Sequence, residues 1–276
     1  MTDIKGMMQM QKRHFEMETD GFYGAYWKCK TDSDCAMIAM IGDDSEDYLA
    51  RTSVKWLHKL GVNVMTMSPA KKDYGHHNYP LERIEKAISW LKTHGNRKIG
   101  IVGASTTGTL ALTAASYFED LTLTIGLTPS DFIWQGFMQG KRDGCKEWPM
   151  EGESLFSYKE EPLPYMPFCY KHPDYWHVIE KETKRTGDMI NSRKLFDDSE
   201  TAHPITEEEM IKIEKIHGTL LLIGAEDDVL WDTAKYIRRM ELRMKERPHT
   251  CRLESVIYEH ATHFVFPESM LRQCCQ

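Results

Sequence analysis

The sequence predicts an α/β fold with a mostly parallel central sheet and helices on both of its faces. Three observations carry that expectation. Short, continuous apolar runs alternate with amphipathic segments of helical period. The runs lack the polar alternation of a sheet that faces water on one side. The same alternation resumes after a long irregular interval, as expected when one domain carries an insertion.

The elements follow in order. "GFYGAYWKCK", residues 21–30, reads as an antiparallel edge strand, and "AMIAMIG", residues 36–42, as a buried strand. "SEDYLARTSVKWLHKLG" places Leu49, Val54, Leu57 and Leu60 near helical spacing, with Gly61 as its C-cap. "VNVMTM" is the next strand. "PLERIEKAISWLKTHG" opens with Pro80 where a helix tolerates it, puts Leu81, Ile84, Ile88 and Leu91 on one face, and stops near Gly95. The strand "KIGIVG", the helix "STTGTLALTAASYF" and the strand "LTLTIGL" follow. After the interval come the strand "TLLLIG", the helix "DTAKYIRRMELRMKER" and the strand "CRLESVIYE", then a short terminal helix. Crossovers between such parallel strands are right-handed.

Between about Thr128 and Lys215 the pattern dissolves into prolines, charges and aromatic residues, among them Trp134, Phe137, Trp148, Phe156, Tyr165, Phe168, Tyr170, Tyr175 and Trp176. So many aromatics argue against disorder, and an irregular stretch this long inside a compact domain is commonly a lid. The expectation is one domain over residues 1–276 with an ordered lid at 128–215.

Bulk properties exclude several functions. The formal net charge of -7, with no basic block, argues against a nucleic-acid partner. No apolar stretch approaches the roughly 18 residues that span a bilayer, and the first residues lack a signal core. Seven scattered cysteines match no C-x-x-C pair or zinc ligand set, which fits reduced thiols in a cytoplasmic protein. No metal or cofactor is expected, and the partner expected is a small-molecule substrate. His76 and His77 read as loop residues without a chemical role.

The chemistry centres on "KIGIVGASTTG". A nucleophile elbow needs a serine on a tight turn between strand and helix, with small residues two before and two after it. Ser105 has Gly103 before it but Thr107 after it. Serine at a helix start is also a common N-cap, so the local pattern leaves both readings open. The rest of the chain separates them. In a serine hydrolase of this architecture an acid and then a histidine follow at the ends of later strands. After "TLLLIG" stand Glu226, Asp227 and Asp228; after the last strand stand His260 and His263. A cap predicts neither. Asp228 lies three residues before Trp231, and His263 lies deeper in its loop than His260. A zinc role for "HATH" lacks a third ligand at suitable spacing.

Four stretches carry a family likeness: "YPLERIEKAISWLKTH", "KIGIVGASTTGTLALTAAS", "GLTPSDFIWQGF" continuing to "YKEEPLPYMPF", and "LLLIGAEDDVLW" with "IYEHATHFVFP". On these residues the chain resembles the C-terminal catalytic domain shared by acyl-CoA thioester hydrolases and bile acid-CoA:amino acid N-acyltransferases, within the α/β-hydrolase superfamily. Its length resembles that of single-domain bacterial members, without the N-terminal β-sandwich of animal ones.

The resemblance implies Ser105 as nucleophile, Asp228 as acid and His263 as base. It implies an oxyanion hole from the N–H of Thr106 and one donor of "GDDSED", with Asp43, Asp44 and Ser45 as candidates. The family usually has glycine where this chain has Thr107, and glycine beside the histidine where it has Thr262. The aromatic insertion would form the acyl pocket, with Trp134, Phe137, Trp148, Tyr165 and Phe168 as substrate-binding candidates. Lys71, Lys72, Lys141 and Arg142 are candidates for CoA phosphates. Family acyltransferases tend to use cysteine, so a serine favours hydrolysis of a thioester or ester. Transfer to an amine acceptor is the alternative, as is a catalytically silent binding protein on the same fold.

Overall fold

The computed structural model describes residues 12–42, 44–69, 75–139, 147–169, 180–181, 183–185 and 191–265. Eight strands form one sheet: β1 (Lys12–Phe15), β2 (Tyr23–Trp27), β3 (Cys35–Met40), β4 (Asn63–Ser68), β5 (Lys98–Ala104), β6 (Leu121–Leu127), β7 (Thr219–Ala225) and β8 (Arg252–Tyr258). Their spatial order is β1-β2-β4-β3-β5-β6-β7-β8. β1 and β2 pair antiparallel to their neighbours, and every pairing from β4 to β8 is parallel. Among the described residues, five helices of ten residues or more accompany them: α1 (Tyr48–Lys59), α2 (Glu82–Thr93), α3 (Thr106–Tyr117), α4 (Arg193–Ala202) and α5 (Thr233–Glu246).

Side-chain alternation along the strands divides the core between the two faces. Met37, Ala39 and Ile41 pack with Val54 and Leu57 of α1 on one face. Ala36, Ile38 and Met40 belong to the larger core on the other, with Ile84 and Leu91 of α2, Leu110 of α3 and Ile237 of α5. Helices on both faces leave the inner strands buried on each side, which is why β3 reads as a continuous apolar run.

One expectation needs correction. β2 is antiparallel, as read, but it is not the edge: β1 pairs outside it, Lys12 opposite Trp27 and Phe15 opposite Gly24. "KRHF" hides as a strand because an edge needs no apolar alternation, and charges there discourage further pairing.

The stretch between β6 and β7 carries small sheets of its own. Gln135–Gln139 pairs with Glu147–Ser154 and with Gly75–His76, and Phe156–Tyr158 pairs with Glu161–Pro162 and with Tyr79–Pro80. Two guanidinium groups of α5 fasten this stretch to the sheet domain. Arg239 binds the buried Asp131 through Nε at 2.7 Å and Nη2 at 2.5 Å, and reaches Glu200 at 2.7 Å. Arg243 binds Glu207 and Glu214 at 2.7 Å each. Burial pushes the Asp131 carboxyl above its ordinary range, and the paired guanidinium opposes that rise. Among the described residues no helix is long and apolar enough to cross a membrane.

Candidate active site

The turn from β5 into α3 is strained. Ser105 has φ 60° and ψ -128°, in the region that favours glycine. Its N–H donates to the Leu127 carbonyl at 2.8 Å, and its carbonyl accepts from the Thr109 N–H at 3.1 Å, so both sides of the turn are held. A Cβ on Gly103 would run into the Thr107 backbone, which explains the glycine two residues before the serine. The Ser105 side chain makes no capping bond to α3. Its Oγ lies 2.8 Å from His263 Nε2 instead.

His263 comes from the loop after β8 and is 1% exposed. Its Nδ1 lies 2.9 Å from both carboxylate oxygens of Asp228, which follows β7 and is also 1% exposed. A carboxylate only accepts, so Nδ1 carries the proton and Nε2 is left to accept from the serine hydroxyl. Three more donors fix the carboxylate. The N–H groups of Leu230 and Trp231 reach Oδ1 at 3.0 and 3.4 Å, and the Thr233 hydroxyl donates to Oδ2. The His263 and Trp231 rings pack edge to face, with centroids 4.5 Å apart and planes at 82°. Asp227 and His260 are both exposed and belong to no such contact, so the geometry brings Ser105 together with Asp228 and His263.

The acid loop has a second support that the sequence did not reveal. Arg193, at the start of α4, donates from Nη1 to the carbonyl of Asp228 at 3.0 Å and from its backbone N–H to Val229 at 3.0 Å. It also pairs with the Asp232 carboxylate. Ser192 Oγ donates to the Leu230 carbonyl at 2.9 Å, and Trp231 Nε1 to Thr128 at 3.2 Å. A serine and an arginine at a helix start look like any surface pair, so no local signal singles them out.

The other flank of Ser105 is the loop after β3. Thr106, the first residue of α3, is buried. Asp43 lies outside the described residues. The N–H of Asp44 lies 3.3 Å from Asp47 Oδ2, and its carboxylate accepts from the Glu46 N–H at 3.0 Å. Asp47 caps α1 through the Ala50 N–H at 2.8 Å, with its carboxylate in the space that a Cβ on Gly42 would need. Glu46 pairs with Lys12 and, at 2.6 Å, with His14 Nδ1. These carboxylates are thus turned onto N–H groups and cations of their own surroundings, which limits the negative field they exert on the serine.

The aromatic candidates occupy different environments. Trp134 is 1% exposed, wedged at 5.3 Å from Phe196 and 5.1 Å from Trp231. Phe168 meets Phe196 at 5.4 Å, so a run of rings leads from Phe168 through Phe196, Trp134 and Trp231 to His263. Phe137 is buried beside His76 at 5.3 Å. Tyr165 and Phe168 are half-buried against the core. The side chain of Trp148 lies outside the described residues, as do Lys71, Lys72, Lys141 and Arg142. His76, read as a loop residue, is fully buried in a two-residue strand; burial and the neighbouring His77 hold its pKa near 3, so the ring stays neutral.

Comparisons with known proteins bear on this arrangement. The family model described as BAAT / Acyl-CoA thioester hydrolase C terminal matches residues 79–270. Acyl-coenzyme A thioesterase 1 of Mus musculus is 23% identical over 194 residues, which cover 68% of this chain and 38% of that protein. The chain therefore spans well under half the length of that relative. Among solved structures, an esterase of Pyrococcus furiosus superposes with a TM-score of 0.56 at 16% identity, covering 100% of this chain and 91% of that one. The acylaminoacyl peptidase of Pyrococcus horikoshii gives 0.54 at 13% identity, covering 95% and 40%. An α/β hydrolase from a Medee basin deep-sea metagenome library gives 0.52 at 12%, covering 92% and 83%. At such identities the likeness is one of fold, and the fold is that of the α/β hydrolases.

Proposed function

The chain belongs to the BAAT / acyl-CoA thioester hydrolase C-terminal family, and from that premise we propose that it is a serine hydrolase that cleaves acyl thioesters of the acyl-CoA type, or carboxylic esters, through an acyl-enzyme on Ser105. The observation that carries the reading is the strained serine with its Oγ 2.8 Å from His263 Nε2, backed by Asp228 at 2.9 Å from Nδ1.

In this mechanism the Ser105 hydroxyl proton passes to His263 Nε2 as the Oγ–carbon bond forms and the carbonyl π pair moves onto oxygen. Asp228 stays a carboxylate and stabilises the imidazolium. Collapse restores the carbonyl, breaks the carbon–sulfur or carbon–oxygen bond, and sends the proton from Nε2 to the leaving group. Water then attacks the acyl-enzyme and gives its proton to His263. The Oγ–carbon bond breaks, Ser105 recovers its proton, and a carboxylic acid is released. The Thr106 N–H and one N–H of the loop after β3 face the developing oxyanion; such a donor is typically worth about 100- to 1,000-fold in kcat.

In the same reading, residues 128–215 cover the acyl group. Buried Trp134 and Phe137 stiffen the wall, and Tyr165 and Phe168 supply its accessible surface. Among the described residues Cys29, Cys35, Cys169 and Cys251 are free thiols, which suits a cytoplasmic setting.

The test is a panel of acyl-CoA thioesters and p-nitrophenyl esters, followed by release of thiol or nitrophenol with and without glycine and taurine. Turnover independent of added amine, and lost in Ser105→Ala, supports the reading. An amide product that requires the amine would replace hydrolysis by acyl transfer. A folded protein that turns over no member of the panel would contradict both.

A further inference from the structure

Thr107 stands where the resemblance leads one to expect glycine, and the structure gives its hydroxyl a specific place. β3 and β5 run side by side until Met40 faces Gly103, the last rung between them. Beyond it β3 has ended, while β5 continues for one residue, Ala104, immediately before the strained Ser105. The N–H of Ala104 would find no β3 carbonyl at that level. Thr107 Oγ1 accepts it at 3.0 Å. The same oxygen lies 2.5 Å from the Met40 carbonyl and 2.8 Å from that of Ala104, so its single proton goes to the nearer one, on Met40. The hydroxyl thereby adds one more rung to the sheet, built from a side chain. Thr107 is 6% exposed, and water has little access to take over those bonds.

The two peptides joined this way matter for the chemistry. Ala104 precedes the nucleophile. Met40 is the last residue of β3, and the chain beyond it leads through Ile41 into the loop of Gly42 and Asp44. We propose that Thr107 is a positioning residue: its hydroxyl ties the nucleophile's turn to the root of the oxyanion loop and so sets the distance between the attacking Oγ and the second oxyanion donor. The inference rests on the serine-hydrolase reading and deepens it. It also accounts for a β-branched residue at a crowded position. The branch carries the hydroxyl into the gap between the strand ends, where a glycine would leave the Ala104 N–H unmet.

The test compares Thr107→Val, which keeps the shape and loses the hydroxyl, with Thr107→Ser, which keeps the hydroxyl and loses the methyl. Each is measured for kcat and KM on a p-nitrophenyl ester, for the rate of fluorophosphonate reaction at Ser105, and for its melting temperature. Misplacing a reacting group by about 1 Å can cost about 100-fold. Thr107→Val is accordingly expected to lose about 10- to 100-fold in kcat and in labelling rate, with little change in KM, while Thr107→Ser stays close to the wild type. If Thr107→Val does not fold, Thr107→Ala replaces it in the same comparison. A folded Val or Ala variant that reacts as fast as the wild type overturns the inference alone. So does a Ser variant as slow as Val, because the methyl would then be the group that matters. A wild type that fails to react at Ser105 overturns the serine-hydrolase reading, and the inference with it.

Discussion

The two flanks of Ser105 are built on opposite plans. On one side His263 and Asp228 are each 1% exposed, and side chains do the work: an imidazole, a carboxylate, the Thr233 hydroxyl and the Trp231 ring. On the other side the loop from Gly42 to Asp47 is rich in acids, and its described carboxylates serve N–H groups, Lys12 and His14 rather than the serine. The difference follows from what each flank must do. A proton relay needs particular titratable groups held at fixed distances, and burial with several hydrogen bonds holds them. An oxyanion hole needs two N–H vectors, which almost any sequence can supply if the backbone is bent correctly.

The largest expected effect lies on the buried flank. Asp228→Asn should lower kcat about 10,000-fold, because an amide at that position can leave the imidazole in the wrong tautomer. Asp227→Asn should leave kcat unchanged, since Asp227 is exposed and touches neither ring nor serine. Steady-state kinetics on one ester substrate checks both, and equal losses in the two variants would break the assignment of the acid. A smaller effect is expected from Arg193→Met. It removes the guanidinium from the Asp228 carbonyl and the Asp232 carboxylate, so kcat should fall about tenfold, the equivalent of one charge-assisted hydrogen bond. An unchanged kcat would mean that Trp231 and the β7 strand hold the acid loop unaided. The smallest effect belongs to the open flank. Glu46→Gln gives up a partly exposed cluster with Lys12 and His14, so unfolding free energy should change by no more than about 1 kcal/mol. A large loss of labelling in this variant would show that the acidic loop is tuned, not merely tolerated.

The same contrast explains what could be read from the residues. β3 and β5 announced themselves because strands buried on both faces are apolar almost throughout, while β8, an outer strand with no buried residue, showed itself by the alternation of Leu253, Ser255 and Ile257 with more exposed residues. β1 did not, because a charged edge strand has no such requirement. Gly75–His76 and Tyr79–Pro80 are too short for any period to show, and their pairing depends on strands more than 50 residues away in sequence. Within the site, the positions of acid and histidine were legible as the ends of β7 and β8. Periodicity did not separate Asp228 from Asp227 or His263 from His260; the family resemblance did, and the loops bring those two residues to Ser105. The oxyanion loop left little trace, since a backbone donor has no residue type. The aromatic content of 128–215 pointed to an ordered cover, yet which of its rings became buried and which stayed half-buried depended on contacts with Phe196, distant within that stretch, and with Trp231 beyond it. Thr107 looked like a defect in a motif; in the structure its hydroxyl occupies the gap left where β3 ends.

The most direct test of the account is reaction of the purified protein with a fluorophosphonate, with the modified residue located by peptide mass spectrometry. The probe needs an activated serine and assumes nothing about the acyl chain. The account predicts one phosphonyl group on Ser105 in the wild type and none in His263→Ala. A folded wild type that stays unmodified, or a His263→Ala variant labelled at Ser105 just as fast, would contradict it.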